Sequence, residues 1–433
     1  MPRPWALASC VSSPEYAERG YPGINDDAVI VRTLPPVHSP LSLSALGSGL
    51  LALGSSRGAE TAPAQLLRAH YGAREVVLTD SGTAALTLAL RAAARANGAP
   101  VALPAYGCFD LATAAVGAAA SVLLYDLEPA TLGPDLRSLR RALEQGVRTI
   151  VVAHLYGLPV DYRAVEDLAA DFGALVIEDA AQGGGATLGG CALGALGRLA
   201  VLSFGRGKGV TAGRGGALLL QGAPVIDVAG LRAELQAGRT APTEPIAALA
   251  QWMLARPTLY ALPASLPFLG LGETIYRPPR PARAMSPFAL GVLGRTLGLA
   301  GLETDRRRAH ARRLLAVLAG SADVTAVRGP ADAEPGYLRL PVLVPESARG
   351  RFRSAGARRL GIMPGYPATL ARLPDLRARM LEEGPSHPGA DHVVEALFTL
   401  PTHGQLSESD LRALEVWIRS QSPGPRAFSQ SVS

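Results

Sequence analysis

Lys208 is the only lysine in the chain; every other strong base among the 42 Lys+Arg residues is an arginine. It lies in Ser203-Phe204-Gly205-Arg206-Gly207-Lys208-Gly209-Val210, after the apolar run Leu199-Ala200-Val201-Leu202 and before Gly213-Arg214-Gly215-Gly216. Lysine can lose its proton when desolvated, attack a carbonyl and hold a Schiff base, which arginine cannot. GC-biased coding that left one lysine by chance is the compositional alternative. Three upstream features weigh against it. In Ser81-Gly82-Thr83 a hydroxyl stands beside free backbone N–H groups at a helix start, which together make a phosphate seat, although many such turns are only caps. In Glu178-Asp179-Ala180-Ala181-Gln182 a carboxylate at the end of a buried strand can pair with a protonated ring nitrogen, or else cap a neighbouring helix. Ser203, five residues before the lysine, would add a phosphate contact. A phosphate at one end, a pyridinium needing an anion and an aldehyde needing an amine describe one cofactor, pyridoxal phosphate, an electron sink.

The elements that must position these residues follow a strand-and-helix rhythm. Val76–Thr79, Val101–Leu103, Ser121–Tyr125, Thr149–Ala153, Ala174–Glu178, Leu199–Ser203 and Ala217–Leu220 read as short buried strands. A helix rich in Ala and Leu opens at Thr83 and is stopped by Asn97-Gly98; Pro134 starts a helix through Gln145, and Asp161 caps one through about Phe172. Strands alternating with helices predict a largely parallel sheet covered on both faces, with ligands beyond the carboxyl ends of its strands. Pro40 to Gly54 reads as a mobile loop near a site or a buried connection. Pro245 to Tyr276 is an apolar run broken by Pro257, Pro263 and Pro267. It is either an insertion packed on the core or on a partner subunit, or an interfacial membrane contact or acyl-binding surface. A long helix is expected from Ser286 to about Leu318, with Arg306-Arg307-Arg308 and Arg312-Arg313 on a solvated face. Residues 337–344 and 396–400 read as strands of a smaller domain and Glu408 to Ile418 as its last helix, before a Ser- and Pro-rich tail expected to be disordered.

At 433 residues and 48% apolar, the chain can bury a large core and a smaller one. The net charge of +6 is spread over scattered arginines with no aromatic-interleaved basic stripe, so no nucleic-acid surface is read. Cys10, Cys108 and Cys191 are too far apart for a metal pair or a disulfide framework. The N-terminus leads into no signal-type apolar core, and no apolar run reaches about 18 residues. A cytoplasmic location is therefore expected.

Ser81-Gly82-Thr83-Ala84-Ala85-Leu86, His154-Leu155-Tyr156-Gly157, Glu178-Asp179-Ala180-Ala181-Gln182, Ser203-Phe204 with Lys208, and Gly215-Gly216-Ala217-Leu218 resemble the DegT/DnrJ/StrS sugar aminotransferases, fold-type I pyridoxal-phosphate enzymes. The resemblance implies a large domain with a mostly parallel seven-stranded sheet and a smaller C-terminal α+β domain. The expected boundaries are an N-terminal segment 1–44, a cofactor-binding domain 45–221, an atypical insertion 222–285, a long helix and small domain 286–420, and a tail 421–433. It implies that Lys208 forms the Schiff base and moves a proton, that Asp179 pairs with the pyridine nitrogen, and that Gln182 bonds the phenolic oxygen. Gly82, Thr83 and Ser203 would hold the phosphate, with His154 nearby. It also implies a homodimer with shared sites and transfer of an amino group from glutamate to a nucleotide-linked keto sugar, in surface polysaccharide or secondary-metabolite biosynthesis. The chain departs from the family at Pro104-Ala105-Tyr106-Gly107-Cys108-Phe109, where Cys108 falls at the expected ring-stacking aromatic, leaving Tyr106 or Phe109 for that place. Gly205-Arg206-Gly207 replaces the usual His-Pro-Thr, making Arg206 a candidate anion ligand, and Arg214 stands where glutamate is common.

Other readings within and beyond this fold are a dehydratase, against which Lys208 argues, a non-catalytic descendant binding the cofactor or a partner, and a membrane-peripheral enzyme that reaches a lipid-linked substrate through residues 245–275.

Overall fold

The computed structural model describes residues 32–54, 61–222, 226–264, 274–321, 323–382 and 386–421. Strands β1 (Glu75–Thr79), β2 (Val101–Pro104), β3 (Val122–Tyr125), β4 (Thr149–Ala153), β5 (Leu175–Asp179), β6 (Leu199–Ser203) and β7 (Gly216–Leu220) form one sheet in the order β1-β7-β6-β5-β4-β2-β3. β7 runs antiparallel to both β1 and β6, and the other neighbouring pairs are parallel. Alternate residues feed two cores: Val77 and Leu218 face one side, Val76, Leu78, Leu219 and Leu202 the other. Such two-sided burial is why these strands read as continuous apolar runs.

Helix α1 (Leu43–Ala52) occupies the stretch expected as a loop or buried connection. Ser42 caps it, its Oγ accepting the Ala45 N–H at 3.1 Å. It crosses a later helix through glycines. A Cβ on Gly49 would lie 2.8 Å from Phe288 and Val292, and one on Gly291 would lie 2.4 Å from the Ser48 carbonyl. Its other face leaves Leu43, Leu50 and Leu51 exposed. Helix α2 (Gly82–Asn97) follows β1 and ends at Gly98 in the left-handed region. Helix α3 (Asp110–Gly117) follows β2, and α4 (Tyr162–Asp171) is capped by Asp161 as expected. Asp135, after Pro134, caps the helix Leu136–Glu144.

Where the sheet rhythm breaks, α5 (Thr243–Leu254) and α6 (Pro257–Ala264) form; part of the apolar run, residues 265–273, lies outside the described residues. α5 buries Ala248 in the core next to Met285 and leaves Ile246, Leu249 and Met253 exposed. The single long helix expected at 286–318 is instead two. α7 (Pro287–Thr296), capped by Ser286 with Pro287 at its first position, is separated from α8 (Ala300–Leu318) by a tighter turn at Leu297–Leu299. Beyond them β8 (Thr325–Ala326), β9 (Leu340–Leu343), β10 (Met363–Pro364) and β11 (Leu397–Leu400) form a second sheet in the order β8-β9-β11-β10. Its core, Leu340, Val342 and Phe398 among others, is completed by α8 and the closing helix α9 (Glu408–Gln421). The expected tail lies outside the described residues from 422 onward.

The arginine run on α8 is not a uniformly solvated face. Arg307 is 1% exposed and donates to the Gly336 carbonyl at 2.7 Å, the Gly184 carbonyl at 2.8 Å and Thr304 Oγ1 at 2.9 Å. Arg308 donates to the carbonyls of Pro335, Gly185 and Glu334. The two side chains tie the loop after β5 to the segment before β9.

Candidate active site

β1 and β6 end, and β7 begins, around the first turn of α2. Ser81 caps that helix, its Oγ accepting the Ala84 N–H at 3.1 Å, while its carbonyl takes the Ala85 N–H. The N–H groups of Gly82 and Thr83 are first-turn donors with no intrahelical acceptor. Among the described residues neither the Thr83 nor the Ser203 hydroxyl has a hydrogen-bond partner. The helix start lies directly on the strands: a Cβ on Gly82 would sit 2.7 Å from Ser203 Cβ, and one on Gly216 would sit 2.5 Å from Gly82 N. Two backbone donors, two hydroxyls and the positive end of a 16-residue helix together suit an anion such as phosphate.

Lys208 comes from the loop between β6 and β7. Phe204 N–H donates to the Gly215 carbonyl and Ala212 N–H to the Phe204 carbonyl, pinching the loop at its base. Three further contacts hold its tip. Ser39 Oγ donates to the Lys208 carbonyl at 2.5 Å, and Val37 packs where a Cβ on Gly207 would fall. Gly209 meets Gly184 backbone to backbone, a Cβ on Gly209 lying 2.6 Å from Gly184 Cα, and Arg307 fixes Gly184 from behind. Ser81, Gly82, Thr83, Ser203 and Lys208 line one cavity of about 700 Å³. Arg206, Arg277 and Arg280 line it too, while Arg214 pairs with Asp80 at 3.0 Å and lies 3.9 Å from Glu244.

A second cavity, of only about 10 Å³, is lined by Cys108, His154, Asp179 and Gln182. Asp179 Oδ1 accepts the Ala181 N–H at 3.0 Å; among the described residues Oδ2 has no hydrogen-bond partner. Burial raises the Asp179 carboxyl above its ordinary range, while the Ala181 N–H and the Lys208 ammonium pull it down. A cation beside Oδ2 would hold the carboxylate charged. Burial pushes the Cys108 thiol up to about 12, so it faces this cavity as a neutral group. Gln182 Oε1 accepts the Tyr156 N–H at 3.2 Å, and its Nε2 donates to Tyr366 Oη at 2.8 Å.

Of the residues singled out from the sequence, Lys208, Gly82, Thr83 and Ser203 meet at one cavity, and Asp179, Gln182 and His154 at the other. His154 is also a structural residue. It is 1% exposed, its Nδ1 accepts the Val160 N–H at 3.2 Å, and its Nε2 faces Glu178 at 3.4 Å. Glu178 in turn accepts N–H groups from Gly194, Leu196 and Gly197. Tyr106 departs from expectation. It lines neither cavity and is 0% exposed, with its hydroxyl 3.1 Å from Tyr156 Oη and accepting the Tyr366 N–H at 2.8 Å. Phe109, 6% exposed, also lines neither cavity, whereas Cys108 lines the smaller one. Ser39, Arg307 and Tyr366 were missed. Each acts across more than 90 residues of chain, with no local spacing to mark it.

The donors at the start of α2, the Lys208 amine and the half-satisfied, partly buried Asp179 carboxylate would fit pyridoxal phosphate, with Gly82, Thr83 and Ser203 for its phosphate, Asp179 for its ring nitrogen and Lys208 for its aldehyde. With the seven-stranded sheet and its one antiparallel strand, they define a fold-type I pyridoxal-phosphate protein. Residues 53–228 match the DegT/DnrJ/EryC1/StrS aminotransferase family. The L-glutamine:scyllo-inosose aminotransferase of Streptomyces griseus is 37% identical over 179 residues, 41% of this chain and 41% of that one. The dTDP-4-dehydro-2,3,6-trideoxy-D-glucose 4-aminotransferase of Saccharopolyspora spinosa is 32% identical over 149 residues, 34% of this chain and 39% of that one. The chain thus spans about two-fifths of the length of these curated relatives. In structure it resembles S. venezuelae DesV in complex with a ketimine intermediate, with a TM-score of 0.70, 22% identity and coverage of 87% of this chain and 93% of that one. No described helix is long and apolar enough to cross a membrane.

Proposed function

We propose that this chain is a pyridoxal-phosphate-dependent aminotransferase. It would take an amino group from glutamate or glutamine and deliver it to the carbonyl of a keto sugar or a cyclic polyol ketone. The observation that carries this reading is the convergence of the sole lysine, the α2 N-terminus and Ser203 on one cavity, with Asp179 at the next strand end. The relatives named above support the donor and acceptor classes: one is named for glutamine and an inosose, another for a dTDP-linked keto sugar.

When bound, pyridoxal phosphate supplies an electron sink into which a substrate carbon can release its proton. The chain's own residues do the rest. Asp179 Oδ2, partly buried and without a hydrogen-bond partner among the described residues, would hold positive charge on the ring nitrogen. The α2 N–H groups and the hydroxyls of Thr83 and Ser203 fix the phosphate and thereby the ring. Lys208 Nζ would accept and return a proton at the reacting carbon, its backbone carbonyl held by Ser39 Oγ. Arg206, Arg277 and Arg280, exposed at the mouth, favour an anionic substrate, and a nucleotide-linked sugar is the acceptor we favour. We further propose a homodimer, supported by the apolar side chains of Leu50, Leu51, Ile246 and Leu249, which would otherwise face water.

The test is an absorbance spectrum of the protein with pyridoxal phosphate, before and after glutamine or glutamate. A band in the region of about 410–430 nm, expected of a protonated lysine adduct, should move toward about 330 nm on adding the donor. Lys208→Ala should lack the first band. A band that ignores both donors would overturn the transfer reading.

A further inference from the structure

Four hydrogen bonds close a ring around Gln182. Its Nε2 donates to Tyr366 Oη at 2.8 Å. Tyr366 N–H donates to Tyr106 Oη at 2.8 Å, and Tyr106 Oη meets Tyr156 Oη at 3.1 Å. Tyr156 N–H donates back to Gln182 Oε1 at 3.2 Å. Tyr106 follows β2, Tyr156 follows β4 and Gln182 follows β5, while Tyr366 follows β10 in the second sheet. The ring is thus one place where the second sheet's side of the molecule touches the carboxyl ends of strands of the first.

The geometry is built tightly. Tyr156 holds φ +58, a left-handed backbone uncommon for a bulky residue. A Cβ on Gly365 would fall 2.2 Å from Tyr106 Oη, so only glycine lets Tyr366 N–H reach that oxygen. The Tyr156 and Tyr366 rings stack with centroids 5.9 Å apart and planes 22° from parallel.

The ring decides which way the Gln182 carboxamide faces. Its oxygen is taken by a backbone N–H that cannot accept, so the nitrogen must lie toward Tyr366 and the cavity. One of the two Nε2 hydrogens goes to Tyr366, leaving the other as the donor Gln182 can offer a ligand. We propose that Tyr366 is a positioning residue: it holds the Gln182 carboxamide with its donor toward the cofactor's phenolic oxygen. Only when the second sheet is seated against the first is that donor in place. This rests on the pyridoxal-phosphate reading above and deepens it.

Tyr366→Phe removes the hydroxyl and keeps the stacked ring. The test titrates pyridoxal phosphate into the cofactor-free full chain and reads both its dissociation constant and the pH midpoint of the 410–430 nm band. It does so for the unsubstituted chain, Tyr366→Phe, Gln182→Ala and the double variant, with melting temperatures alongside. Loss of one oriented hydrogen bond should weaken binding about fivefold. The pH midpoint should move upward, because the phenolic oxygen loses a donor that eases its negative charge. In the Gln182→Ala background Tyr366→Phe should change neither reading, since its effect passes through Gln182. If the two changes instead add in full, or if Tyr366→Phe lowers only the melting temperature, Tyr366 is a packing residue and the proposal is overturned. If the unsubstituted chain binds no pyridoxal phosphate, both this proposal and the reading it rests on are overturned; binding with additive effects overturns this one alone.

Discussion

Gly82→Ala tests the phosphate seat most directly, because two opposed effects have known sizes. Gly82 is the first residue of α2, and alanine is intrinsically better in a helix by about 0.5–1 kcal/mol. The added methyl, however, would lie 2.7 Å from Ser203 Cβ and 3.0 Å from Ser203 Oγ. Ordinary carbon contacts are about 3.5–4.0 Å, so one side must retreat by about 1 Å. Neither side is a flexible tip: Ser203 ends β6 in register with Gly216, and Gly82 is pinned by the same glycine. Overpacking of this kind costs about 1–3 kcal/mol, so the net effect on stability is a loss of about 0–2.5 kcal/mol. The effect on the phosphate should be larger. A shift of about 1 Å takes a bond near 2.9 Å out of range, and one charge-assisted bond is worth about 1.5–3 kcal/mol, or about 10- to 100-fold in affinity. The assay is a pyridoxal-phosphate titration of the cofactor-free protein together with a thermal melt. Gly47→Ala in α1, whose added Cβ meets nothing within 4 Å, is the reference and should gain stability with affinity unchanged. A Gly82→Ala protein with full affinity would refute the reasoning that this close approach forms the phosphate seat.

Two further outcomes follow from buried charge. Arg307→Met removes three hydrogen bonds and leaves the Gly184 and Gly336 carbonyls without their donor, so chemical denaturation should show a loss of about 2–4 kcal/mol; a loss below about 0.5 kcal/mol would contradict it. His403 is held to about 3 and His38 to about 4, both chiefly by burial, against 6.5 when free. His403 Nδ1 accepts the Gln405 N–H, so Nε2 carries the proton and donates to the Pro35 carbonyl at 2.7 Å. Below pH 6.5 the unfolded chain takes up protons that the folded chain refuses, so stability should fall as pH drops from about 6.5 toward 4. Each histidine would add a slope of up to about 1.4 kcal/mol per pH unit. Denaturation at pH 7, 6 and 5 checks this, and His403→Gln should flatten the slope.

What the sequence disclosed and what it hid divide along a physical line. Strands buried on both faces must be apolar throughout, so all seven were visible, and the residues that end them (Asp179, Ser203) stood out because polarity resumes there. Lys208 was visible for its rarity. The helix in residues 43–52 was not, because its packing runs through Gly49 against Gly291, and glycines lower helix propensity even where their lack of a side chain lets two helices approach. The break at Leu297–Leu299 left the apolar and charged residues on a continuous helical pattern, so no signal separated α7 from α8. Tyr106 was expected on the cofactor because aromatic rings stack; the fold instead uses its hydroxyl, which finds its partners 50 and 260 residues away. Arg307 shows the general cause. A run of arginines reads as solvated because an isolated guanidinium is rarely buried. Here two carbonyls and a hydroxyl take the place of water at Nε and Nη2, and two of these three acceptors lie 29 and 123 residues away. The side chains that would touch a cofactor either end a strand, as Asp179 and Ser203 do, or are alone of their kind, as Lys208 is, and so leave a trace in the sequence. Those that orient them are chosen by acceptors and donors brought up from elsewhere in the chain, and composition and spacing carry no record of that choice.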